Sequence, residues 1–225
     1  MIKNKKIFIA CDTNNINRVK KIIKETETKK LKIGYKFGLE FINSKNGRAF
    51  ISKLKKKIIF LDAKLHDIPN TCVSAVKAIK DLRVNYLTIH ISSGLNALKA
   101  VKKVSGKIKI VGVSTLTSFN NKQLMQTGHT RSVKNLVIQQ AKLAMKANLD
   151  AFVCSAHEIP YVKPIFKKEI ITPGIRLNTK FNDQKRVTTP NDAFKKGSSW
   201  LVIGRSLTKG NIKNNIKRLI NHLNQ

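Results

Sequence analysis

Short apolar runs alternate along this chain with longer stretches in which apolar residues recur at helical spacing. Runs rich in β-branched residues fall at 7–12, 32–37, 58–64, 86–91, 108–115, 151–154, 169–172 and 201–204. Their length and continuous apolarity suit strands buried on both faces. Between them, Ile16-Val19-Ile22-Ile23, Val73-Val76-Ile79 and Leu136-Val137-Ala141-Ala144 each place one apolar stripe along a helix. Strands alternating with helices predict a parallel sheet. Eight such units in 225 residues predict an α/β fold, a (β/α)8 TIM barrel, as a single domain over 1–225. The competitor is an open doubly wound sheet, but no G-x-G-x-x-G follows the first strand. After the third strand, Pro69 followed by Asn70 and Thr71 predicts a helix start with one of the latter two as its cap.

In a barrel of this kind the active site lies at the C-terminal ends of the strands. Those ends carry Asp12, Lys36, Asp62 with Lys64, His90, residues 115–118, Ser155, residues 172–176 and Gly204-Arg205. Polar residues gather there although the strand bodies are apolar. The densest stretch is Leu61-Asp62-Ala63-Lys64-Leu65-His66-Asp67-Ile68-Pro69-Asn70. Asp62 and Lys64 are two apart, so a strand points both to one face. Asp67 adds a second carboxylate within reach of the same lysine. An acid–base–acid array holds an ammonium in place and keeps it protonated, which suits delivery of a proton to a carbanion. A lone D-x-K-x-x-D is more often a solvated turn. Acid scarcity favours chemistry here: the chain has 45 Lys and Arg against 12 Asp and Glu, and this short segment keeps two of those acids around one lysine.

The same imbalance gives a formal charge of +33 and raises the question of nucleic acid. The lysines are spread through every predicted helix, and aromatic residues, 6% of the chain, form no stacking series. Any nucleic-acid binding is therefore expected to be nonspecific and salt-sensitive. Self-repulsion is expected to lower stability at low ionic strength. No apolar run approaches the ~20 residues of a membrane span, and the apolar run after the basic start stops at Asp12, too short for a signal peptide. The expected location is the cytoplasm, with no membrane association. Cys11, Cys72 and Cys154 are odd in number, far apart and never in C-x-x-C, so buried free thiols are expected and a metal site is not.

Val202-Ile203-Gly204-Arg205-Ser206 ends the eighth strand and is read as opening the last helix. Glycine admits backbone N–H groups to an anion, and arginine adds a forked charge. Thr172-Pro173-Gly174-Ile175-Arg176 brings a second guanidinium to the neighbouring strand end, so a phosphate site is expected there. The polar segment 177–190, which carries Gln184, is long enough to serve as a lid over it.

Taken together these residues resemble the orotidine 5′-phosphate decarboxylase family, in its bacterial form. The resemblance runs from Asp12 to Arg205. It is strongest in the segment 61–71 and is supported by Tyr35-Lys36-Phe37-Gly38, Leu116-Thr117-Ser118, Val153-Cys154-Ser155-Ala156-His157-Glu158, the segment 172–176, Asp183-Gln184-Lys185-Arg186 and Gly204-Arg205-Ser206. It implies a cofactor-free, metal-free enzyme that converts orotidine 5′-monophosphate to UMP, the last step of de novo pyrimidine synthesis. It further implies that Lys36, Asp62, Lys64 and Asp67 form a charged tetrad with Lys64 as proton donor. Asp12 and Lys36 would bind ribose hydroxyls, and Thr117 with Ser118 would lie at the pyrimidine. Thr71 would join the substrate contacts. Arg176, Gly204 and Arg205 would hold the phosphate, with Gln184 bridging phosphate and base. Asp67 would reach into a neighbouring subunit, which implies a homodimer with shared active sites. One departure stands out. The family's His-Ala-Ser-Gly-Gly-like run reads His90-Ile91-Ser92-Ser93-Gly94 here, so a bulkier Ile91 and a Ser93 in place of glycine bear on local packing. His90 and His66 are read as structural. Metal-dependent relatives of the same barrel share D-x-K-x-x-D but need an acidic ligand on the second strand, where this chain has Lys36.

Overall fold

A computed structural model describes residues 2–177 and 188–225. Eight parallel strands close into a barrel in sequence order, which excludes the open sheet. They are β1 (Lys6–Ala10), β2 (Lys32–Phe37), β3 (Ile58–Leu65), β4 (Tyr86–His90), β5 (Lys109–Val113), β6 (Ala151–Val153), β7 (Glu169–Thr172) and β8 (Trp200–Ile203). Each lies on an expected apolar run, with ends that coincide with it or differ by one or two residues. Helices follow the strands and lay their apolar stripes on the sheet. Ile16–Thr26 buries Val19, Ile22, Ile23 and Thr26, and Ile212–Asn224 buries Ile212, Ile216, Leu219, Ile220 and Leu223. Their starts are capped by Asn15 and Asn211, whose side chains accept backbone N–H bonds from Arg18 and Asn214.

The interior of the barrel is filled by residues two apart on each strand. The lower layer is Phe8, Phe60, Tyr86, Val111, Ala151, Ile171 and Trp200, all nearly inaccessible. Phe8 stacks on Trp200 with ring centroids 4.0 Å apart and meets Phe60 at 4.8 Å. Gly34 supplies β2's share of this layer, and a Cβ there would lie 2.6 Å from the Phe8 ring. Below the rings, Glu169 accepts from Lys6, Lys109 and the Tyr86 hydroxyl at 2.9–3.1 Å. The N-terminal end of the barrel is thus plugged by aromatic side chains and sealed by an ion-paired carboxylate. Two residues further along the same strands come Ala10, Lys36, Asp62, Thr88, Val113, Val153 and Val202, and at this level the chemistry begins.

Two local expectations are corrected. The helix after β3 spans Pro69–Ala78 with Ile68 as its cap residue and no side-chain cap bond, because Pro69 at the first helical position moves the start ahead of Asn70 and Thr71. Gly204 opens a separate one-turn helix, Arg205–Thr208, and the long last helix begins only at Ile212. Cys11, Cys72 and Cys154 are buried free thiols, as expected. Burial pushes the Cys11 thiol up to about 12. Among the described residues no helix is long and apolar enough to cross a membrane.

Candidate active site

The C-terminal end of the barrel holds a cavity of about 330 Å³. Asp12, Lys36, Asp62, Lys64, Thr117, Arg176, Gly204 and Arg205 all line it. Its charged wall comes from β1 to β3. Asp62 is buried, and its Oδ2 accepts from Lys64 Nζ at 2.8 Å and lies 3.4 Å from Lys36 Nζ. Lys36 also donates to Asp12 Oδ1 at 3.0 Å. Burial alone would push Asp62 up, but the Lys36 and Lys64 ammoniums outweigh it and hold the carboxyl below its usual range. Burial opposes the charge on Lys36 in the same way, and Asp62 and Asp12 together raise it above the ordinary lysine value. A Cβ on Gly38 would sit 3.3 Å from Lys36 Nζ and 3.5 Å from Asp12 Oδ1, so glycine leaves room for this pair.

Lys64 has φ 49, the left-handed region, and the β3–β4 register shifts between Leu61 and Leu65. The bulge takes the Lys64 amide out of the ladder and turns it to Thr88 Oγ1 at 2.7 Å. Thr88 also donates to Asp62 Oδ1 at 3.2 Å. The expectations did not include Thr88. Its only signal was one hydroxyl on the otherwise apolar run Tyr86-Leu87-Thr88-Ile89, in phase with His90. Gln140 was also missed. It is 8% exposed, and its Oε1 accepts from both N and Oγ1 of Thr115, which steadies the loop that carries Leu116 and Thr117 into the cavity.

The rim at the ends of β7 and β8 is cationic. Arg176 is buried and Arg205 exposed, and both line the cavity beside Gly204. Arg176 N donates to Thr188 O at 3.2 Å, and Ile175 pairs with Thr188 in an isolated bridge. Of the segment 177–190 expected as a lid, Thr188 is in this bridge, Thr189 caps the helix Pro190–Lys196, and Gln184 lies outside the described residues. Val113, Val153 and Val202 supply an apolar wall.

Three expected residues stand apart from the cavity. Ser118 and Thr71 are exposed and do not line it. Asp67 is exposed as well, makes no ion pair among the described residues, and accepts from the Ile68 amide. Within one chain Asp67 is therefore not the second acid on Lys64. It lies beyond the end of β3, where strand alternation no longer directs side chains. Among the described residues no group of three or more His, Cys, Asp or Glu is placed to hold a metal ion.

The profile of the orotidine 5′-phosphate decarboxylase / HUMPS family matches residues 5–218. The chain belongs to this family. It is 44% identical to an orotidine 5′-phosphate decarboxylase of Wolbachia pipientis subsp. Culex pipiens (strain wPip) over 209 residues, 90% of this chain and 91% of that one. It is 41% identical to the orotidine 5′-phosphate decarboxylase of Wolbachia sp. subsp. Brugia malayi (strain TRS) over 221 residues, 95% and 96% of the two chains. The crystal structure of orotidine 5′-phosphate decarboxylase from Lactobacillus acidophilus superposes with a TM-score of 0.84 at 27% identity, covering 98% of this chain and all of that one.

The departure from the family's run after β4 now has a physical account. Ile91 is buried, and its Cδ1 occupies the space above Gly112, where a Cβ would approach to 2.4 Å. Ser93 has an ordinary φ of −63, whereas Gly94 takes φ 85, so the retained glycine sits where the backbone demands one. His90 is half-buried, with its ring 5.2 Å from His66, which in turn meets Ser92 Oγ at 3.3 Å. Neither histidine lines the cavity.

Proposed function

We propose that this chain decarboxylates orotidine 5′-monophosphate to UMP, the last step of de novo pyrimidine synthesis, without a cofactor. One observation carries the reading beyond family membership. A single buried carboxylate, Asp62, holds the ammoniums of Lys36 and Lys64 in a cavity that Arg176 and Arg205 also line. Breaking the bond between C6 of the pyrimidine and its carboxylate leaves an electron pair on a carbon with little delocalisation. An ammonium beside that carbon stabilises the charge as it forms and then supplies the proton. Lys64 takes that role: its side chain is 33% exposed and lines the cavity, whereas Lys36 is enclosed by two carboxylates. The carbon–carbon bond breaks, CO2 departs, C6 gains the Lys64 proton, and solvent reprotonates the amine.

Arg176, Gly204 and Arg205 would hold the phosphate. Asp12 and Lys36 would meet the ribose hydroxyls, Thr117 would lie at the base, and Gln184 would bridge base and phosphate. Binding energy from the remote phosphate then serves to align the ring over Lys64. Asp67 would complete the tetrad from a second copy of the chain, in a homodimer with shared sites. Its exposure beside the two-thirds-exposed Ile68 supports that arrangement.

Family membership includes metal-dependent enzymes, and Lys36 favours the metal-free branch. Its ammonium fills the space between the Asp12 and Asp62 carboxylates that a divalent cation would need. The decisive assay follows the orotate absorbance when purified protein meets orotidine 5′-monophosphate in EDTA. Loss of the chromophore supports the proposal. No loss, or loss only after Mg2+ is restored, defeats it.

A further inference from the structure

We propose that Thr88 is a positioning residue for the decarboxylation, joining the backbone of Lys64 to the carboxylate of Asp62. The inference rests on the function proposed above, but the geometry behind it is independent. Thr88 lies on β4, is wholly buried, and does not line the cavity. Its hydroxyl sits 2.7 Å from Lys64 N and 3.2 Å from Asp62 Oδ1. The polarity of both bonds is fixed. A backbone N–H only donates, so the hydroxyl accepts there, and its single proton is left for the carboxylate.

This link lies where the strand departs from regular pairing. Lys64 has φ 49, and the register between β3 and β4 slips from Leu61 to Leu65, so the Lys64 amide has lost its ladder partner. An N–H turned into the barrel wall needs a replacement acceptor, and Thr88 Oγ1 provides it. The same hydroxyl takes Asp62 Oδ1, leaving Oδ2 to the two ammoniums. One side chain therefore sets both the origin of the lysine arm and the rotation of the carboxylate that holds its tip. β-branching restricts the Thr88 χ1, so the hydroxyl is pre-aimed.

Thr88→Val keeps the shape and removes both bonds; Thr88→Ser keeps the hydroxyl. With orotidine 5′-monophosphate as substrate, Thr88→Val is expected to lower kcat about 10- to 100-fold, the scale of a small misplacement of reacting groups, while KM changes by less than about threefold. Thr88→Ser is expected to stay within about threefold of wild type in both. Hydrogen exchange at the Lys64 amide gives a readout that needs no turnover, with at least about tenfold faster exchange in Thr88→Val and near-wild-type protection in Thr88→Ser. The proposal is overturned if Thr88→Val keeps both kcat and amide protection, or if Thr88→Ser is damaged as badly as Thr88→Val, which would assign the effect to packing of the methyl. Should wild-type protein leave the substrate untouched, the functional reading fails and amide exchange alone decides whether Thr88 holds Lys64.

Discussion

Replacing Asp62 by Asn removes one charge from between two others. In the native site Lys64 and Lys36 contact the same oxygen at 2.8 and 3.4 Å, so their nitrogens lie no more than about 6 Å apart, the two contacts laid end to end. At an effective dielectric of about 20, two like charges at that distance repel by about 3 kcal/mol. Removing one member of a buried ion pair typically costs about 3–5 kcal/mol. The Lys64 side chain is a third exposed and partly screened by solvent, so the expected loss for Asp62→Asn lies near the bottom of these figures, about 2–3 kcal/mol. In a chain of this length that corresponds to a fall in Tm of about 4–12 °C. The pH dependence has a definite sign. Lys36 is raised in the folded state, so its contribution is complete below the unfolded lysine value of 10.5 and is lost as pH rises through the folded one. The gap between wild type and Asp62→Asn should therefore be widest near pH 7 and narrow above pH 10.5. Urea denaturation across that range checks it. A variant as stable as wild type at pH 7, or a gap that widens in alkali, would refute the view that Asp62 holds two ammoniums together.

Gly112→Ala should destabilise the barrel by about 1–3 kcal/mol by driving a methyl into Ile91, and Ile91→Ala in the same chain should recover part of that loss; strict additivity in the double-mutant cycle would contradict the packing described. Burial, with help from His66 and Lys64 and against the pull of Asp62, holds His90 below its ordinary value of 6.5. The unfolded chain then takes up a proton first, so stability should fall as pH drops below 6.5, and His90→Gln should flatten that slope; thermal scans between pH 7 and 5 with unchanged slope would exclude it. If a second copy supplies Asp67, mixing inactive Lys64→Ala with inactive Asp67→Ala should restore turnover, because a hybrid dimer contains one intact site; no recovery after subunit exchange would refute shared sites.

The barrel was legible because its strands are buried on both faces and read as unbroken apolar runs, leaving little freedom in where they lie. The charged wall was legible for a related reason: two-residue alternation carried Lys36 and Asp62 into the interior one step above Gly34 and Phe60. What stayed hidden depends on departures from regularity. The importance of Thr88 follows from a bulge in the neighbouring strand that no local pattern announces. Asp67 does not reach Lys64 within one chain because it lies past Leu65, where the alternation that had guided the reading ends. The cap after β3 was misread because Pro69 fixes the first helical residue whatever polar side chains follow it.

The aromatic floor has a consequence for traffic. With Phe8, Trp200 and the rings beside them blocking the far end, the chamber is a cul-de-sac. A guest seated against Asp62 can therefore enter and leave only through the C-terminal mouth of the barrel, past the side chains of Arg176 and Arg205.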